Sequence, residues 1–108
     1  NRTINEEIIT AAADILRYKR NVVMATDGGA DNEHFQTQGA TWGMASFING
    51  KWHSWGTPIL GLDSTALMAE MWAALHGLET AVTADLAELT LIIDNQYVAQ
   101  TLETIAKF

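Results

Sequence analysis

A chain of 108 residues, 48% of them hydrophobic, is long enough to bury one core and too apolar for a disordered tail. It contains no cysteine, which excludes disulfides and thiolate-bound zinc. Six Lys and Arg against thirteen Asp and Glu give a formal net charge of −7, the opposite of the basic footprint usual in nucleic-acid binding.

No apolar run approaches the ~18 residues of a membrane span and no secretory signal is visible, so the expectation is an intracellular protein with no membrane partner. A start at Asn1 in place of Met suggests continuation from a longer polypeptide.

Thr3 and Glu6 have capping-box spacing, and Ile8, Ile9, Ala12, Ile15 and Leu16 follow with helical period, which predicts a helix over about residues 4–18. Arg17, Lys19 and Arg20 cluster at its end, where positive charge compensates the helix dipole. Residues 1–20 therefore read as an N-terminal helix and linker, and residues 21–108 as one domain.

Val22, Val23, Met24, Ala25 and Thr26 form a β-rich apolar run, the pattern of a strand covered on both faces, and the run ends at Asp27. Residues 28–39 are polar and contain glycine, which predicts a loop. Residues 40–48 and 51–57 read as two strands joined by Asn49-Gly50, a strong two-residue hairpin turn. After a connector, Asp63 or Ser64 can cap a helix over about residues 65–83, with Leu67, Met71, Ala74, Leu75, Leu78 and Val82 as its apolar stripe. Glu70 falls on the border of that stripe, whereas Trp72 and His76 point away from it. Residues 89–93 form a fourth apolar strand ending at Asp94, and Val98, Leu102 and Ile105 give a last helix its apolar side.

This order predicts a mixed α/β sheet with a parallel central pair. Ligands of such sheets gather beyond the carboxyl ends of the strands, where Asp27 and Asp94 both lie. Taken singly, Asp27 suits a turn before Gly28-Gly29, Asp94 suits a helix cap, and Glu70 suits a helix surface. Taken together, two Asp at strand ends and a Glu on a helix assemble hard oxygen ligands for divalent ions. His34, His53 and His76 lack metal-ligand spacing and read as surface or packing residues. Trp42, Trp52 and Trp55 read as cross-strand packing, with base stacking as the alternative.

The neighbours of the three acids carry a resemblance. Thr26-Asp27-Gly28-Gly29 closes the first strand, and a hairpin turning at Asn49-Gly50 follows. Glu70 leads into Ala73-Ala74-Leu75-His76-Gly77-Leu78-Glu79, and Ile93-Asp94-Asn95-Gln96-Tyr97-Val98 closes the fourth strand. In order and spacing this resembles the front portion of a ribonuclease H domain, such as that of a reverse transcriptase or retroelement.

The resemblance implies a ribonuclease H-like mixed sheet with helices packed on it, lacking the last strand and C-terminal helices within these residues. It implies an endonuclease that hydrolyses the RNA strand of RNA·DNA hybrids by two-metal-ion catalysis. Asp27, Glu70 and Asp94 would be its catalytic and metal-binding residues, two Mg²⁺ or Mn²⁺ ions its cofactors, and Gly28, Gly29, Asn95 and Gln96 its substrate-binding residues. The partners would be the hybrid and the rest of a larger polypeptide.

The family's fourth acid sits in a later helix, beyond Phe108, so the isolated chain is expected to cleave weakly and to favour Mn²⁺; Asp31 and Glu33 are the nearest substitutes. Ala66 and Leu67 occupy places where many members read the RNA 2′-hydroxyl. The rival reading is a non-catalytic domain of the same fold that serves as a tether or interaction module.

Overall fold

Two consecutive residues with positive φ, Asn49 at 52° and Gly50 at 82°, turn the chain back on itself. Their conformation is the one a two-residue hairpin requires, and Asn-Gly adopts it at least cost. In the computed structural model, which describes residues 2–17, 19, 21–31, 39–59 and 66–94, this turn joins β2 (Gly39–Ile48) to β3 (Lys51–Ile59). The remaining elements are α1 (Arg2–Leu16), β1 (Asn21–Asp31), α2 (Ala66–Thr83) and β4 (Glu88–Ile93).

The four strands form one sheet in the order β3-β2-β1-β4. β2 is antiparallel to both β1 and β3, whereas β4 runs parallel to β1. The result is the expected mixed α/β sheet, with two helices among the described residues. α2 carries the chain from the β3 edge to the β4 edge and packs on β1 and β2 as it passes. No helix among the described residues is long and apolar enough to cross a membrane.

β1 differs from its sequence expectation in length and in coverage. Gly28, Gly29, Ala30 and Asp31, expected as loop, extend the strand opposite Trp42, Thr41, Ala40 and Gly39. The ladder with β2 satisfies their backbone groups and overrides their weak strand propensity. Burial along β1 alternates: Val22, Met24 and Thr26 are buried, whereas Val23 is 42% exposed. Among the described residues, then, the packed face is the one that meets the helices.

α1 begins at Arg2, so Thr3 lies within the helix and does not precede it as a cap. Ile9, Ala12, Ala13 and Leu16 are buried, and the last three join Val22, Met24, Trp42, Met44, Ile48 and Ala73 in one core. Trp42 on β2 donates its indole N–H to Asn5 Oδ1 on α1 at 3.2 Å, which ties the helix to the sheet. Arg17, just past the helix end, pairs with Asp14 at 3.3 Å on the surface, a contact of small energetic weight.

The packed stripe of α2 is not the expected one. Ala69, Ala73, His76, Gly77 and Thr80 are buried, whereas Leu67, Met71 and Leu75 are exposed and Val82 is 80% exposed. Ala74 is buried and Leu78 half-buried, as their stripe assignment required. The helix turns its small residues to the sheet because it sits too close for bulky ones. A side chain added at Gly77 would meet Met24 Sδ and Thr26 Cγ2 at 3.0 Å. Asp63, Ser64 and the helix expected after Asn95 lie outside the described residues.

Candidate metal and nuclease site

Thr26 of β1 and Ile93 of β4 are the last partners in the parallel register, and the next residue on each chain segment is an acid. Those acids are Asp27 and Asp94, both exposed. Thr26 is buried on the helix side, so Asp27, one step on, leaves the opposite face of β1. Paired strands run about 4.8 Å apart, which makes the two Asp neighbours where β4 stops and β1 continues. Opposite Asp27 on β2 sits Gly43, which adds no side chain beside the carboxylate.

Glu70 belongs to the helical layer and is half-buried in the first turns of α2. A Cβ built on Gly28 would overlap the carbonyl carbon and oxygen of Ala69 and the backbone nitrogen of Glu70. The residue after Asp27 is thus in backbone contact with the residue that carries the third acid. Gly28 is buried against α2. Gly29 is exposed, with open space where a side chain would project.

Among the described residues no three His, Asp or Glu side chains are gathered closely enough to enclose an ion. The parallel register ends with Asp27 and Asp94 as the next residues on their segments, and Gly28 touches the helical turn that bears Glu70. The chemistry of this donor set suits Mg²⁺ or Mn²⁺, hard ions that take few carboxylates and retain several waters. Asn95, Gln96 and Glu33 lie outside the described residues, and Asp31 closes β1 at its pairing with Gly39.

The histidines serve packing where they are described. His76 is buried between two indoles, with ring centroids 4.5 Å from Trp42 and 5.5 Å from Trp72. Its Nδ1 lies 3.2 Å from Glu79 Oε1, where an N–H donates to the carboxylate. Burial lowers the His76 pKa below its ordinary value, and the Glu79 carboxylate opposes that shift without cancelling it. His53 stacks on Trp55 with centroids 6.3 Å apart, and Phe47 meets Trp52 edge-on at 5.3 Å. His34 lies outside the described residues.

Sequence reasoning missed the aromatic joint around His76 because it assigned α2 the wrong packed stripe. The signal that could have found it was the spacing of Ala69, Ala73, Gly77 and Thr80, small residues at helical period.

A family model described as reverse transcriptase-like matches residues 25–107, a stretch that contains Asp27, Glu70 and Asp94 and leaves out α1. No curated protein and no solved structure gives a match.

Proposed function

The chain belongs to the reverse transcriptase-like family of ribonuclease H-like domains, and on that premise we propose a metal-dependent nuclease that hydrolyses the RNA strand of RNA·DNA hybrids. One observation supports the reading: the β1–β4 register ends at Thr26 and Ile93, the residues directly before Asp27 and Asp94. Two exposed Asp that follow directly on matched strand residues supply oxygen ligands where open α/β sheets place their ligands. A purely structural sheet has no need of them there.

In this reading Asp27 and Asp94 hold divalent ions from the sheet, and Glu70 holds them from α2. Two bound ions supply the chemistry common to such sites, activating a water and stabilising the leaving oxygen of a phosphodiester. The open position of Gly29 lets a sugar-phosphate strand approach the backbone beside Asp27. Asn95 and Gln96, next in sequence to Asp94, are proposed to complete the substrate contact.

A net charge of −7 favours a second reading, a non-catalytic domain that tethers or binds a protein, because hybrid affinity rests largely on basic contacts to phosphate. A labelled RNA·DNA hybrid separates the two. With Mn²⁺ or Mg²⁺ the nuclease reading expects the RNA strand to be cut, with no cutting in chelator or by Asp27→Asn. An intact hybrid at millimolar Mn²⁺ supports the tether.

A further inference from the structure

We infer that the open face of the sheet is a docking surface for a positively charged amphipathic helix of a partner protein. The surface is independent of hybrid cleavage, and it gives the tethering alternative a place and a partner of stated chemistry.

Side chains alternate between the two faces along each strand. Val22, Met24, Trp42 and Met44 go to the face that α1 and α2 cover, which leaves Val23, Phe47, Trp52 and Ile92 on the other. These four are 42%, 51%, 59% and 51% exposed. The register sets them close together. Phe47 and Trp52 are direct partners across β2 and β3, and their rings meet edge-on at 5.3 Å. Ile92 faces Ala25 and Ala25 faces Ala45, so two small side chains make a low floor beside the larger ones. Val23 lies two residues before Ala25, opposite Thr90.

Single apolar residues on a surface need no explanation, whereas a contiguous patch with a polar margin marks a contact site. The aromatic pair is ordered by its own contact, so little freedom is lost when a partner seats on it.

Charge selects the partner. The strand positions at the margin of this face hold Asp27, Glu88 and Asp94, all exposed, and no Lys, Arg or His among the described residues. The whole chain carries −7. An anionic lipid surface or a phosphate backbone meets repulsion here, and a second copy would bring acids against acids. A helix with Lys and Arg beside an apolar stripe meets attraction at the margin and a dry contact at the centre. Such a helix, about 10 Å across, fits a sheet whose four strands span roughly 14 Å.

Two synthetic amphipathic helices test the surface, alike in a Leu stripe but with Lys on the polar face of one and Glu on that of the other. In calorimetric titration the full chain should bind the Lys helix at least about tenfold more tightly than the Glu helix. Trp52→Ser and Phe47→Ser should each weaken the Lys helix about tenfold. Val82→Ser, at a still barer apolar site on α2, should leave it unchanged. Glu88→Lys should weaken it about fivefold or more, whereas Glu7→Lys, the same change of net charge on α1, should not.

A wild-type chain that does not bind the Lys helix, or binds both helices equally, overturns the inference. So does a Lys helix indifferent to Trp52→Ser and Phe47→Ser, or weakened equally by Glu88→Lys and Glu7→Lys. A chain that sediments as a dimer, and as a monomer in Trp52→Ser, assigns the face to a second copy and overturns it too. Circular dichroism checks the folding of each variant, and should one unfold, the comparison of the two helices on the wild type still decides.

Discussion

Trp42 and His76 join β2 to α2, with ring centroids 4.5 Å apart and planes tilted by 45°. The joint reaches further on both sides. The Trp42 indole donates to Asn5 of α1, and His76 stacks on Trp72 and bonds Glu79. Thr80 anchors the next turn by donating to the His76 carbonyl at 2.7 Å. Both helices therefore meet the sheet around one buried imidazole.

That imidazole makes stability depend on pH. Its pKa is lowered in the folded chain, so the unfolded chain binds more protons between the folded value and the ordinary value near 6.5. The stabilisation is complete above about pH 6.5 and declines as pH falls through that window. Melting curves between pH 7.5 and 5 should show the wild type losing stability more steeply than His76→Gln. Parallel slopes for the two chains would show that the buried ring does not control the loss.

α1 lies outside the family match yet contributes Ala12, Ala13 and Leu16 to the core. Leu16 is fully buried, so Leu16→Ala removes several methyl and methylene groups from a packed site and should cost about 2–4 kcal/mol. Because the core is shared, denaturant unfolding should remain a single transition with a lower midpoint. Two separated transitions would show that α1 folds apart from the sheet.

The end of α2 offers a gain in stability. Leu86 N–H donates to Ala81 O and Asp85 N–H to Val82 O, the bond pair of a Schellman cap, with Asp85 at φ 56° in the place glycine prefers. Asp85→Gly should raise stability by roughly 0.5–1 kcal/mol. Gly50→Ala, which puts a side chain at φ 82° in the hairpin turn, should lower it by about 1 kcal/mol. Thermal melts of the pair check the signs, and a destabilised Asp85→Gly would mean that the carboxylate does more than cap.

Much of this fold was legible because local chemistry and global topology agree. Asn49-Gly50 specifies its own backbone conformation, and the apolar runs before Asp27 and Asp94 are strands that pair in parallel up to Thr26 and Ile93. What escaped the sequence depends on distant partners. Residues 28–31 became strand only because β2 pairs with them. The face of α2 was misassigned because hydrophobicity marks Leu67, Met71 and Leu75, whereas close packing on β1 selects Ala69, Ala73 and Gly77. The close contact of Gly28 with the backbone of Ala69 and Glu70 likewise joins residues far apart in sequence, and neither segment announces it.

The central claim is that Asp27, Glu70 and Asp94 act together on divalent metal, and the melting temperature with and without millimolar Mn²⁺ tests it most directly. An ion that binds only the native state stabilises it by about 2.7 kcal/mol at a hundredfold excess over its dissociation constant. The account predicts a clear rise for the wild type, and the rise should be lost in Asp27→Asn and Asp94→Asn and much reduced in Glu70→Gln. A wild-type chain whose melting temperature ignores Mn²⁺, or a rise of equal size in all three variants, would contradict it.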